Sequence, residues 1–170
     1  MPIFEVFGPY EIPWEKRASG RRLCYEGFWK SGSPASHLAG SCGCYIFAIR
    51  NRATVPVYVG KATVNFEQEV FNPSNRHKYS DAMLDYSKGT PLMYFVVHPA
   101  QRGRNNGNQI SQIEDFLIQA AAARNPDNLQ NIRGAQRPKW GISGVIRGGK
   151  GKPSNIERGL SLMLGIKRRP

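Results

Sequence analysis

Residues 43–62 read Gly43-Cys44-Tyr45-Ile46-Phe47-Ala48-Ile49-Arg50, then Asn51-Arg52-Ala53-Thr54, then Val55-Pro56-Val57-Tyr58-Val59-Gly60-Lys61-Ala62. Two runs rich in aromatic and β-branched residues flank a short polar segment, the pattern of an antiparallel hairpin with strands over 44–49 and 55–59. Pro56 has no amide donor, so its strand is expected at a sheet edge or with that position facing outward. With a two-residue loop (Arg52-Ala53) or a four-residue one (51–54), paired positions sum to 105, so Tyr45 opposes Gly60 and Phe47 opposes Tyr58. Alternation of side chains then puts Tyr45 and Tyr58 on one face as diagonal neighbours about 7–8 Å apart, and a one-residue slip would separate them. Gly60 is expected to leave a gap beside Tyr45 that a ligand can enter. An ordinary aromatic pair on a half-buried sheet has the same appearance.

Outward from the hairpin, Phe4, Val6 and Phe7 suggest a short strand before Gly8-Pro9, and Arg21–Tyr25 a second. Downstream, a helical stretch over Val64–Phe71 is interrupted at Asn72-Pro73. A helix capped by Ser74 runs to about Ser87 with Gly89 as its stop. Leu92–Val97 is strand-like, and Gln109–Arg124 is an amphipathic helix halted by Asn125-Pro126-Asp127. Ser154 and Glu157 have capping-box spacing for a last helix closed by Gly165. Hairpin, helix, strand, helix is the order of an α+β domain with a small, mainly antiparallel sheet.

A chain of 170 residues with 40% apolar content holds one ordinary core. No apolar run approaches the roughly 20 residues of a membrane span. The start Met1-Pro2-Ile3-Phe4-Glu5 lacks a secretory layout, so the expected setting is cytoplasmic, with no membrane partner. Three cysteines (Cys24, Cys42, Cys44) make no disulfide framework. Their spacing, with His37, is wrong for zinc, so reduced thiols are expected. Residues 124–170 hold 11 of the 24 Lys and Arg but 2 of the 12 Asp and Glu, hence +9 of the +12 net charge. Such a tail points to a polyanion, and DNA fits better than an anionic membrane because no strongly amphipathic basic helix accompanies the charge. A solvated, solubilising tail has the same composition.

In the 109–124 helix, Ile110, Ile113, Leu117, Ala120 and Ala121 make one apolar stripe, and Glu114 falls inside it while Asp115 faces solvent. A carboxylate aimed inward needs a cation, either a metal ion or a buried Arg or Lys. In the preceding helix Tyr79, Ala82, Met83 and Tyr86 define the inward face. Arg76 is expected on that face, Lys78 at its flank, and His77 pointing away. Tyr45, Tyr58, Lys61, Arg76 and Glu114 are therefore expected to line one cleft. Arg and Lys suit a phosphoryl group, Glu a divalent ion, and a phenol the attacking water or the phosphate. Near the end, Gly144…Gly149-Lys150 imitates a phosphate loop but continues Gly151 rather than Ser or Thr. Arg147, Lys150 and Lys152 are read instead as grips on a phosphate backbone. Trp140 is read as a packing residue, with base stacking as the alternative.

Gly43-Cys44-Tyr45, followed by Tyr58-Val59-Gly60-Lys61-Ala62, resembles the two-tyrosine motif of the GIY-YIG endonucleases. Ile113-Glu114-Asp115-Phe116-Leu117-Ile118 resembles the segment carrying that family's metal-binding glutamate, and Asn125–Asn131 its asparagine motif. The resemblance spans about 41–131. It implies a nuclease core over 41–131 between an N-terminal extension (1–40) and a basic C-terminal extension (132–170) packed on it. It also implies a three-stranded antiparallel sheet flanked by helices, DNA phosphodiester hydrolysis, and one magnesium (or manganese) ion on Glu114. Tyr45 would be the base or its relay, Tyr58 would contact phosphate or water, and Lys61 would bind phosphate or depress the Tyr45 pKa with help from Arg76. Asn131, or Asn128, would be the structural asparagine at the substrate side. Cys44 replaces an aliphatic residue, and the family's arginine comes sooner after the second motif than Arg76 does. Lys78 or His77 are its stand-ins, and an inactive DNA-binding module is the alternative to the enzyme.

Overall fold

The computed structural model describes residues 3–18, 20–86, 88–99, 107–125, 127–131, 142–143, 147–148 and 152–163. The chain forms two compact units, Met1–Ala135 and Gln136–Pro170. In the first, strands β1 (Glu5–Glu11), β2 (Trp14–Arg17) and β3 (Gly20–Leu23) precede a 3-10 turn at Ser36–Leu38. Strands β4 (Gly43–Arg50) and β5 (Thr54–Ala62), helices α1 (Phe66–Glu69) and α2 (Pro73–Asp85), strand β6 (Thr90–Val97) and helix α3 (Gly107–Arg124) follow. The second unit holds short strands β7 (Ile142–Ser143) and β8 (Arg147–Gly148) and helix α4 (Asn155–Met163). The fold is mixed α+β, and no helix among the described residues is long and apolar enough to cross a membrane.

The main sheet has four strands in the order β1-β6-β4-β5, not three, and every neighbouring pair is antiparallel. The extra strand is β1, from the segment read as an extension. It pairs with β6, and Ile12, Leu23, Phe28, Ala35 and Leu38 enter the same core as Phe47, Tyr79 and Phe95. A short apolar strand gains its ladder bonds only from a neighbour, and nothing local in Phe4–Phe7 names β6 as that neighbour. β2 and β3 form a separate two-stranded ribbon.

β5 is an edge strand, as Pro56 requires. Its outer edge is covered by the segment after α3. The Asn125 side-chain amide donates to Pro56 O, Gln130 N–H donates to Val57 O, and Asn131 both accepts from Val59 N–H (2.8 Å) and donates to Val59 O (2.7 Å). A side-chain amide thus completes the ladder where no strand does, which blunts the edge.

The two halves of the hairpin differ in register. From Gly43↔Ala62 to Phe47↔Tyr58 the pairs obey the expected sum, with Tyr45 opposite Gly60. Beyond a bulge they shift to Ala48↔Pro56 and Arg50↔Thr54. The loop therefore has three residues, 51–53, and the unpaired Val57 restores the alignment. Without that bulge Tyr58 would fall opposite Ile46 and turn to the other face.

α2 begins two residues earlier than expected. Asn72, not Ser74, is its cap, accepting from Asn75 N–H at 2.9 Å, and Pro73 occupies the first turn, where its missing amide costs nothing. Its buried residues are Asn75, Tyr79, Ala82 and Met83. In α3, Ile110, Ile118 and Ala121 are buried and Ile113 and Leu117 half-buried, whereas Ala120 is exposed. The stripe is rotated slightly toward Ile118.

Candidate active site

The two faces of the β4–β5 hairpin carry different chemistry. Tyr45, Phe47, Tyr58 and Gly60 share the face covered by α1 and α2, where Phe47 stacks on Tyr79 at 4.5 Å and Tyr45 meets Phe66 at 6.5 Å. Cys44, Ile46, Val59 and Lys61 share the opposite face, which packs on Ile110, Leu117, Ile118 and Ala121 of α3. Tyr58 and Lys61 are three residues apart, an odd number, so a regular strand sends them to opposite sides.

On the phenol face the expected pair is present. The Tyr45 and Tyr58 ring centroids are 6.3 Å apart at a 51° tilt. Tyr45 is 2% exposed, and its hydroxyl accepts from the Asn75 amide at 2.7 Å. Burial, and then the neighbouring Tyr58, hold its pKa well above that of a free phenol, and Glu114 is among the charges that add to the rise. This reverses the expected depression by Lys61 and Arg76, so at neutral pH Tyr45 is a neutral phenol. Gly60 leaves no gap. A methyl there would overlap the Tyr45 ring, 2.7 Å from Cε2, because the tyrosine itself lies in that space. Gly43 is also required, with φ at +145° and the Val96 carbonyl where a side chain would go.

Arg76 is not the inward cation. It is exposed; its Nε donates to Phe71 O at 2.6 Å and its guanidinium lies 5.0 Å from the Tyr25 ring centroid. Lys78 takes the place beside the phenols, donating to Tyr58 Oη at 3.1 Å with its ammonium 4.3 Å from that ring's centroid. It also reaches Asn75 Oδ1 at 3.4 Å. At 100° per residue, Arg76 and Lys78 flank the Tyr79 stripe on opposite sides, so periodicity alone does not choose between them. His77 is exposed, as expected.

Asn75 is the residue that sequence reasoning missed. It is 4% exposed, one turn before Tyr79, and donates to both Tyr45 Oη and Glu69 O (2.8 Å). The signal was present: a polar residue inside an apolar stripe needs a partner, the same reasoning applied to Glu114.

On the other face, Glu114 Oε2 pairs with Lys61 Nζ at 3.0 Å, the side chains being 18% and 39% exposed, and Lys61 also donates to Ser111 Oγ at 3.0 Å. Of the two cations considered for Glu114, the structure supplies the lysine. Asp115 faces solvent. Cys44, behind Lys61, is a free thiol donating to Ile110 O at 3.4 Å, with burial raising its pKa to about 12. Cys24 and Cys42 are also free. Asn131 holds strand β5 rather than projecting toward a substrate, and Asn128 is exposed.

Magnesium retains several waters and takes one or two carboxylates with substrate phosphates, so the partly exposed Glu114 fits it once Lys61 yields. No cluster of three or more His, Cys, Asp or Glu suited to a metal occurs among the described residues. Of the expected backbone grips, Lys152 is exposed, Arg147 lies in β8, and Lys150 lies outside the described residues, as does Trp140, the expected packing residue. No protein-family model, curated protein or solved structure matches this chain.

Proposed function

We propose that the chain is a metal-dependent endonuclease that hydrolyses DNA phosphodiester bonds at the Gly60–Lys61 end of β5, beyond the stretch that Asn125, Gln130 and Asn131 cover, in the manner of the GIY-YIG enzymes. One observation carries the reading: phenols with a lysine partner (Tyr45, Tyr58, Lys78) and a lysine–carboxylate pair (Lys61, Glu114) flank residues 58–61 of one edge strand. On the phenol face a phosphate would meet Tyr58 Oη and Lys78 Nζ, and on the other face one would meet Lys61 Nζ. Glu114 would hold the magnesium ion, whose bound water is more acidic than bulk water. Water attacks phosphorus as the P–O bond to the leaving sugar oxygen breaks. The water's proton passes to solvent, and the leaving oxygen takes one from solvent. Tyr45, as a neutral phenol, positions the water rather than removing its proton.

A second reading, a DNA-binding module without catalysis, is favoured by the Lys61–Glu114 pair and the outward Arg76. Supercoiled plasmid and branched duplexes, incubated with magnesium or manganese, separate the two. Nicking that requires both the ion and Glu114 supports the enzyme. Retention of every substrate without cleavage supports the module.

A further inference from the structure

The β2–β3 ribbon carries more positive charge than its own fold can use. Within Trp14–Arg17 and Gly20–Leu23, four residues are cationic (Lys16, Arg17, Arg21, Arg22) and one, Glu15, is acidic. Lys16 sits directly opposite Arg21 across the strands. Like charges in that position destabilise a sheet, and an isolated two-stranded ribbon is marginal to begin with.

The cations divide into an anchor and an exposed set. Arg21 is the anchor, with its terminal nitrogens donating to Gly89 O (2.5 Å) and Tyr86 O beyond the end of α2, and its guanidinium 5.1 Å from the Trp14 ring centroid. Arg17 and Arg22 both lean on Glu15, but their side chains are 52% and 64% exposed. Such surface pairs are worth little and yield readily to a stronger anion. Lys16 is exposed. Between ribbon and helix lies a cleft of about 350 Å³ lined by Arg17, Gly20, Arg21, Arg22 and Ser80. Ser80 is one helical turn beyond Arg76, so the exposed Arg76 extends this positive surface along α2, the helix whose other flank presents Lys78 to Tyr58.

We propose that this ribbon is a second nucleic-acid contact, in which Lys16, Arg17 and Arg22 bind the phosphates of a duplex while Arg21 holds the ribbon to α2. A two-stranded ribbon also has the width that a major groove admits. The proposal rests on the reading of the β5 edge as a DNA-processing site, and the test separates the two.

Fluorescence anisotropy of the full chain with a labelled duplex, in EDTA, gives the dependence of log Kd on log salt. The Lys16→Gln/Arg17→Gln/Arg22→Gln variant should lose about 0.9 of slope for each phosphate contact removed. An unchanged slope overturns the proposal. So does an equal loss per charge removed in a control with Lys30 and Arg52 changed to Gln, which are exposed cations outside the ribbon. Should the triple variant fail to melt cooperatively, Lys16→Gln alone must lower the slope by about 0.9. Wild-type protein that binds phosphatidylserine vesicles but no duplex overturns both readings. Ribbon-dependent binding without cleavage in magnesium or manganese keeps the ribbon and removes the nuclease.

Discussion

The phenol face and the carboxylate face of one hairpin solve opposite problems. On the first, Tyr45 and Asn75 are almost completely buried and fixed by short hydrogen bonds, so they are as much core as site. On the second, Lys61 and Glu114 remain partly exposed and hold each other, so either can leave its partner for another ligand. The difference teaches where function separates from folding. Changes on the carboxylate face should alter chemistry with little effect on stability, whereas changes on the phenol face should alter both.

The largest effect is expected at Glu114. Under the nuclease reading, Glu114→Ala lowers metal-dependent nicking by about 10³-fold or more. Stability should fall by only about 0–1 kcal/mol, because the abandoned Lys61 is 39% exposed and can be hydrated. A thermal melt alongside the nicking assay tests both halves. A drop of many degrees in Tm would erase the distinction between the faces.

Next is Gly60→Ala. The added methyl must displace the Tyr45 ring, which loosens the Asn75 hydrogen bond and overpacks the core. The expected cost is about 1–3 kcal/mol, and displacement of a positioning group by about 1 Å can cost about 10²-fold in rate. Unchanged stability would mean that Tyr45 can leave its place freely.

Much of this arrangement was legible in the chain and some was not, for identifiable reasons. The alternation that put Tyr45 and Tyr58 on one face follows from strand geometry, and it survives a three-residue loop only because Val57 bulges. The same alternation assigns Lys61 to the other face, although residue types alone suggested one cleft. Arg76 and Lys78 flank one stripe symmetrically, and only the packing of α2 against Tyr25 on one side and Tyr58 on the other decides between them. β1 was recognisable as a strand, but its place beside β6 is a long-range pairing that no local signal encodes.

Alkaline titration sharpens the comparison further. Burial raises the pKa of Tyr25 and of Cys44 to about 12, and those of Tyr45 and Tyr79 are raised as well. In each case the folded state keeps its proton longer than the unfolded chain does. The associated stability is complete below the ordinary thiol and phenol range and is lost as pH rises from about 9 toward 12. Tm should hold steady from neutral pH to about 9 and then decline, with tyrosinate absorbance from the buried rings appearing together with unfolding. A Tm that stays constant through this range would show that neither the buried phenols nor Cys44, on the carboxylate face, is closed to solvent.

The smallest effect is the most specific. In the metal-free protein Lys61 occupies the carboxylate that the nuclease reading gives to magnesium, so it competes with the ion rather than assisting it. A partly exposed ion pair contributes about 1 kcal/mol at most, which converts to about fivefold in affinity. Lys61→Met keeps the aliphatic stem and removes the charge. Manganese binding, followed by its paramagnetic resonance signal, should therefore tighten by about threefold to fivefold. If Lys61 also meets the substrate phosphate once released, the same variant should cleave more slowly while holding its metal better, a divergence that loss of structure cannot produce. Weaker manganese binding in Lys61→Met would instead make Lys61 an organiser of Glu114, and the carboxylate face would be as preassembled as the phenol face.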